Sequence, residues 1–309
     1  MKQDYWTYNK PLSMTGFGGG ATSLSNAGAA LFSYDDAAYD NFFSKGKAPI
    51  DIVNTSSDYY NGTSSDVDDG LGKFYDTNQQ KIYTTYGTVR SYGWSYSSGT
   101  YASNANYYRF SSTHTDFSGW YTSSVGGGSR DIVVAYLQDD TPVFVVVDGY
   151  RLVFYNYPAG TYINDLYLNS GGLNNPAGYH NSNLAFDGTY LIYHDNFKFY
   201  YYDMPANTSS IGGYLSRTLK YSAYGVSSNT TPNYGLVSGG GNILYLGTEQ
   251  GATKFTLSAA NGLNGSATES TLYAYNSSGA VNYSLGMDYK NRKLILGGFG
   301  GRDLRVYGE

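Results

Sequence analysis

The stretch NLAFDGTYLIYHDNFKFYYYDMP, Asn183–Pro205, decides how this chain folds. It contains a short apolar run, a polar turn at Asp187, a longer apolar run, a second turn and a tyrosine-rich run that ends before a proline. Short β-branched and aromatic runs between Gly, Asp and Asn are typical of strands joined by tight turns. The stretch therefore predicts three consecutive short β-strands.

The same pattern occurs four more times along the chain. The other copies are Gly72–Gly99, Asp131–Gly160, Asn233–Gln250 and Asn282–Glu309. An apolar anchor precedes the first turn of every copy, and successive anchors are 62, 49, 51 and 50 residues apart: Tyr75, Leu137, Phe186, Val237 and Met287. A period near 50 residues made of about four short strands is typical of a β-propeller blade.

The sequence thus resembles β-propeller repeat families over roughly residues 70–309, and that resemblance implies an all-β fold of five to six four-stranded blades. Residues 1–69 form either a divergent first blade, with Ala30–Phe43 as its core, or an N-terminal arm that serves as a docking region. The turn Tyr157–Gly160 is expected to lead into the next blade. The segment Gly251–Glu269 is expected to form a long loop or an extra hairpin.

Composition excludes several classes of protein. Among 309 residues there are 40 Gly, 37 Tyr and no Cys, charged residues make up 14 %, and the net charge is −5. Because no Lys/Arg cluster occurs, a nucleic-acid partner is not expected. No apolar run of about 18 residues occurs, and the first residues lack an apolar leader, so we expect neither a membrane span nor a signal peptide.

The sequence contains no recognisable catalytic motif. Glu249 and Glu269 are the acids we consider for a propeller glycoside hydrolase or lyase, but neither lies in a recognisable motif. The histidines His114, His180 and His194 lack metal-ligand spacing. Gly16–Ser23 lacks the Lys-Ser/Thr of a phosphate-binding loop. We therefore predict no catalytic residue, cofactor or metal site, and leave open both the hydrolase and a cation at Asp66–Gly70, where the calcium-loop spacing is incomplete.

The tyrosines divide into two groups. Those within strand patterns, such as Phe199–Tyr202, are expected to pack between blades. Those in segments with loop composition lie among Ser, Gly and Asn, a mixture used where proteins recognise other surfaces. The predicted ligand or partner contacts are Tyr59, Tyr60, Tyr107, Tyr108, Trp120 and Tyr121.

The richness in Gly, Ser, Asn, Thr and Tyr, together with an all-β body, resembles phage virion proteins such as tail, fibre and adhesin components. This resemblance implies a structural virion protein, assembled in the host cytoplasm and later extracellular. Its N-terminal region would contact other virion proteins in an oligomeric assembly, and its tyrosine-rich loops would bind host-surface glycans or neighbouring subunits. The alternatives are a stand-alone carbohydrate-binding lectin and the hydrolase or lyase.

Overall fold

The described part of the chain is all-β and consists of five four-stranded sheets. The structure is a computed structural model. It describes residues 50–52, 57–59, 73–76, 79–86, 88–101, 104–118, 131–148, 151–167, 183–195, 198–213, 219–224, 233–248, 251–257, 265–274, 283–289, 292–298 and 304–308. A single 3₁₀ turn, Thr208–Ser210, is the helical element among them, and Asn207 caps it through its side-chain oxygen. None of the described helical residues forms a segment long and apolar enough to cross a membrane.

The strands follow one another sheet by sheet. Strand β1 (Ser57–Tyr59) precedes the first sheet in the chain. The first sheet contains β2 (Lys73–Asp76), β3 (Lys81–Tyr86), β4 (Thr88–Tyr101) and β5 (Asn104–Asp116). The second contains β6 (Asp131–Tyr136), β7 (Pro142–Asp148), β8 (Arg151–Asn156) and β9 (Tyr162–Tyr167).

The third and fourth sheets repeat this order. The third contains β10 (Asn183–Phe186), β11 (Tyr190–Asp195), β12 (Lys198–Asp203) and β13 (Leu219–Tyr224). The fourth contains β14 (Asn233–Gly240), β15 (Ile243–Thr248), β16 (Gly251–Leu257) and β17 (Gly265–Ala274). A short parallel pairing between β13 and β17 joins the outer strands of these two sheets.

The fifth sheet is completed by the beginning of the chain. It contains β18 (Tyr283–Asp288), β19 (Lys293–Gly298) and β20 (Leu304–Gly308), and β1 pairs antiparallel with β20 as its fourth strand. The first strands of the five sheets contact one another in order, and the last of them, β18, contacts β2. The five first strands therefore follow one another in a closed cycle.

Burial follows from the strand sequences. Strand β6 reads DIVVAY and is buried at every residue, and Val143–Val147 of β7 are buried as well. A strand covered on both faces is a continuous apolar run rather than an alternating one, which is the pattern these strands show. All five repeat anchors are buried, each within a first strand or directly after it: Tyr75, Leu137, Phe186, Val237 and Met287.

Two sequence predictions are corrected by the topology. The turn Tyr157–Gly160 joins β8 to β9 within the second sheet, so it does not lead into the next unit. The described residues of the segment Gly251–Glu269 belong to β16 and β17, the third and fourth strands of the fourth sheet. Ala30–Phe43, the expected core of a sixth unit, lies outside the described residues.

Candidate functional site

The predicted contact residues fall on two strands and on undescribed segments. Tyr59 ends β1, and Tyr107 and Tyr108 lie within β5. The remaining three residues, Tyr60, Trp120 and Tyr121, lie outside the described residues. Strands β1 and β5 contact each other, although one belongs to the fifth sheet and the other to the first. The strands that carry three of the predicted positions therefore meet at one seam between sheets, which we call the seam of β1 and β5.

The hairpin that carries Tyr107 and Tyr108 is unusually long. Strands β4 and β5 have 14 and 13 residues, whereas most of the other strands have six. At ~3.3 Å per residue, β5 spans about 43 Å against about 20 Å for a six-residue strand. In the register of this hairpin Trp94 is opposite Phe110, and Tyr96 is opposite Tyr108. Aromatic residues are thus register partners across the two strands of this hairpin.

Residues 50–52 fasten the start of the described chain to the fourth sheet. The amide of Ile50 donates to the carbonyl of Gly239 at 2.8 Å, and the Tyr245 hydroxyl donates to the carbonyl of Ile50 at 2.7 Å. The amide of Ile52 donates to that hydroxyl at 2.9 Å, and Lys254 pairs with Asp51. Both isoleucines are buried. This attachment fixes the position of the residues that precede β1. The short sequence IDI at residues 50–52 does not by itself predict it.

An aromatic cluster fills the interface between the first and second sheets. The ring centroid of Phe144 lies 4.5 Å from that of Tyr83, 4.9 Å from that of Phe117 and 5.1 Å from that of Tyr157. Phe117 also contacts Tyr155 at 5.1 Å. Such tilted and edge-on contacts are the favourable geometries for aromatic pairs. These rings are packing groups between sheets, as the sequence predicted for tyrosines within strands.

A buried carboxylate lies beside this cluster. The Tyr157 hydroxyl donates to Asp76 Oδ2 at 2.6 Å, and the amide of Gln79 donates to Asp76 Oδ1 at 3.0 Å. Burial, and then the negative charge of Asp76, raise the pKa of Tyr157 well above its usual range. Burial and the same carboxylate raise the pKa of Tyr83 in the same direction. Both phenols are therefore protonated at neutral pH, and the Tyr157 phenol acts as a donor to the carboxylate.

A second buried carboxylate lies among the first strands and defines what we call the hub. Asp131 Oδ2 accepts from the amides of Leu184 at 2.9 Å and Leu236 at 3.1 Å, and its Oδ1 accepts from its neighbour Ile132 at 2.8 Å. This one side chain thereby links β6, β10 and β14. Asn183 continues the connection by accepting from the amide of Gly235 at 2.7 Å.

His194 is buried in a different environment. It lies opposite Asn183 in the register of β10 and β11, and its ring centroid is 4.7 Å from that of Phe199. The two ring nitrogens of His194 have no hydrogen-bond partner in the described part of the chain. The Nδ2 of Asn183 has none there either. Burial lowers the pKa of His194 to about 3. A neutral, enclosed imidazole of this kind cannot exchange protons with an external substrate without an opening of the sheets around it.

The other acidic side chains of the turns have structural partners. Asp187 accepts from the amides of Thr189 and Tyr190, both at 2.7 Å, and Asp139 accepts from that of Thr141 at 3.0 Å. This is the turn chemistry that Asp provides through its short side chain. Within the described residues no group of three or more His, Cys, Asp or Glu is placed to hold a metal ion.

The sequence candidates for catalysis are not brought together by the described residues. Glu269 lies in β17 opposite Phe255, whereas Glu249, His180 and Asp66–Gly70 lie outside those residues. His114 lies on β5, 3.8 Å from Asp116. Sequence reasoning considered none of the hub residues, because a single Asp131 before an apolar run is indistinguishable from an ordinary strand start.

No protein-family model matches this sequence, and no curated protein matches it significantly.

Proposed function

We propose that the five sheets are the blades of a five-bladed β-propeller. The cyclic contacts of the first strands support this reading, since the inner strands of such blades lie around one axis. Pairing of β1 with β20 supports it further, because a strand from the start of the chain completing the last blade closes the ring and protects an edge.

The propeller serves as a non-catalytic module of a virion, in a phage tail, fibre or other surface component. Its N-terminal region contacts other virion proteins, and the seam of β1 and β5 contacts host-surface glycans or neighbouring subunits. In this proposal the protein is assembled in the host cytoplasm and is extracellular in the finished particle. The composition described above supports the virion setting.

The observation that carries the binding role is the contact between β1 and β5. It joins the strands of Tyr59, Tyr107 and Tyr108, three residues selected from composition alone. The buried carboxylates Asp76 and Asp131 favour a non-catalytic role, because backbone amides and a tyrosine hydroxyl already engage their oxygens.

The virion role is tested by immunogold labelling of purified particles with an antibody raised against the full chain. The binding role is tested by adsorption of the purified chain to cells that the particles infect. We expect Tyr107→Ala/Tyr108→Ala to reduce adsorption at least tenfold, or about 1.4 kcal/mol. The matched control, Thr113→Ala/Thr115→Ala, changes two exposed residues of the same strand and should leave adsorption unchanged.

Three results discriminate between the alternatives. Unlabelled particles contradict the virion role. Adsorption by the isolated chain together with unlabelled particles favours the stand-alone lectin. Equal adsorption by both double variants removes the seam as the binding surface.

A further inference from the structure

A group of polar and aromatic side chains lies at the end of β7 and on β8 and β9 of the second sheet. It consists of Asp148, Arg151, Tyr162, Asp165 and Tyr167, which we call the β8–β9 patch. It is separate from the seam of β1 and β5 and from the buried carboxylates, and the sequence analysis selected none of its members.

Arg151 is at the centre of the patch. Its Nη2 lies 3.4 Å from Asp148 Oδ2, and its Nη1 lies 3.8 Å from Asp165 Oδ2. The Tyr162 hydroxyl donates to Asp165 Oδ1 at 3.1 Å. Burial, together with the hydrogen bond and charge of Asp165, raises the pKa of Tyr162, so its hydroxyl remains a donor. These contacts hold four polar side chains in one connected arrangement.

Tyr167 adds an aromatic surface beside this arrangement. It is the register partner of Arg151, so the two residues are direct cross-strand neighbours. Tyr167 is 40 % exposed. The side chains of Asp148, Arg151 and Asp165 are 10 %, 21 % and 18 % exposed. The patch therefore reaches solvent while its polar groups are fixed.

The residue types of the patch fit a sugar. An exposed tyrosine ring offers a flat apolar surface to the C–H face of a pyranose, at a low cost in conformational entropy. Carboxylate and guanidinium groups make charge-assisted hydrogen bonds, often in pairs, and adjacent sugar hydroxyls provide suitably spaced partners. Surface ion pairs by themselves contribute little to stability, which leaves room for a role in recognition.

The charge of the patch narrows the ligand class. Two carboxylates and one guanidinium give it a net negative charge, so a sialylated or uronic saccharide would meet like charge. The positive guanidinium of Arg151, which lies between the two carboxylates, repels a metal cation at this site. A neutral saccharide meets neither obstacle.

We propose that the β8–β9 patch binds a neutral saccharide, with a sugar ring stacked on Tyr167 and its hydroxyls hydrogen-bonded to Asp148, Arg151 and Asp165. This proposal rests on the proposed function in one respect, which is that the ligand is a glycan. It assigns glycan recognition to a second surface. The second sheet then binds sugar independently of the seam.

The test measures binding of lactose, maltose, cellobiose and chitobiose to the full chain by calorimetry, with 3′-sialyllactose as the acidic probe. We expect at least one neutral disaccharide to bind with a millimolar Kd, and sialyllactose to bind at least tenfold more weakly than lactose if lactose is among the binders. Tyr167→Ala should weaken binding at least tenfold, or about 1.4 kcal/mol. The matched variant Tyr167→Phe keeps the ring and should remain within about threefold of the wild type.

The outcomes separate this proposal from the seam proposal. If no neutral disaccharide binds below about 10 mM, or if Tyr167→Ala binds as the wild type does, the β8–β9 patch is not a sugar site. Loss of saccharide binding in Tyr107→Ala/Tyr108→Ala, with Tyr167→Ala unaffected, overturns the patch and supports the seam. The reverse pattern supports the patch and counts against sugar binding at the seam. Stronger binding of sialyllactose than of lactose overturns the choice of a neutral ligand.

Discussion

Two buried titratable side chains differ in their surroundings. Asp131 lies at the hub, whereas His194 lies against Phe199, whose ring contacts Phe255 of the fourth sheet at the interface between the third and fourth sheets. At the hub, Asp131 accepts three backbone amides from three strands. At the interface, His194 is equally buried and its two ring nitrogens have no hydrogen-bond partner among the described residues. Burial of a polar group stabilises a fold when its partners are present and costs free energy when they are missing. The difference predicts opposite effects of mutation at the two places.

The largest effect is expected at the hub. Asp131→Ala leaves the buried amides of Ile132, Leu184 and Leu236 without their acceptor, and each such loss costs about 1–3 kcal/mol. Because the three losses are not additive, we expect the free energy of unfolding to fall by about 3–5 kcal/mol, as measured by urea denaturation. Asp131→Asn keeps one oxygen acceptor and should lose less. Equal stability of Asp131→Ala and the wild type would show that the carboxylate does not hold these strands together.

A second hub variant tests how closely the first strands approach each other. Gly235 has φ +84°, and a Cβ built there would lie 2.8 Å from the backbone nitrogen of Leu285 in β18. Gly235→Ala should lower the free energy of unfolding by about 2–4 kcal/mol, from backbone strain and a collision with rigid backbone. Gly213→Ala is the matched control, since φ there is +78° and no atom lies within 4 Å. Equal losses in the two variants would mean that the backbone angle alone matters and the close approach does not.

The sequence predicted some of these features and not others, for physical reasons. The five anchors, among them Phe186 and Met287, could be found because a repeated apolar position before a turn is a local pattern. The contact between β1 and β5 joins segments that are far apart in the chain, which no local pattern encodes. Asp131 and Asn183 have no local signal either, because their partners on other strands lie 52 to 105 residues away in the chain.

The burial of His194 predicts that the stability of the fold depends on pH. The pKa of His194 is about 3 in the folded chain against 6.5 in its ordinary state, so the unfolded chain binds the proton more tightly. The contribution of His194 to stability is therefore fully present above pH 6.5 and is lost as the pH falls from 6.5 towards 3. Between pH 7.5 and 5 the loss amounts to about 2 kcal/mol, at about 1.4 kcal/mol per pH unit below 6.5.

His194→Leu isolates this contribution, because every other titratable side chain is the same in the two proteins. The difference in unfolding free energy between wild type and variant, followed by urea denaturation from pH 7.5 to 5, should shift by about 2 kcal/mol in favour of the variant. At pH 7.5 the variant should be as stable as the wild type or more stable by about 1 kcal/mol, since two unpaired ring nitrogens are replaced by apolar atoms. A loss of about 2 kcal/mol or more at pH 7.5 would mean that His194 has a partner that stabilises it, and the contrast with Asp131 would then disappear.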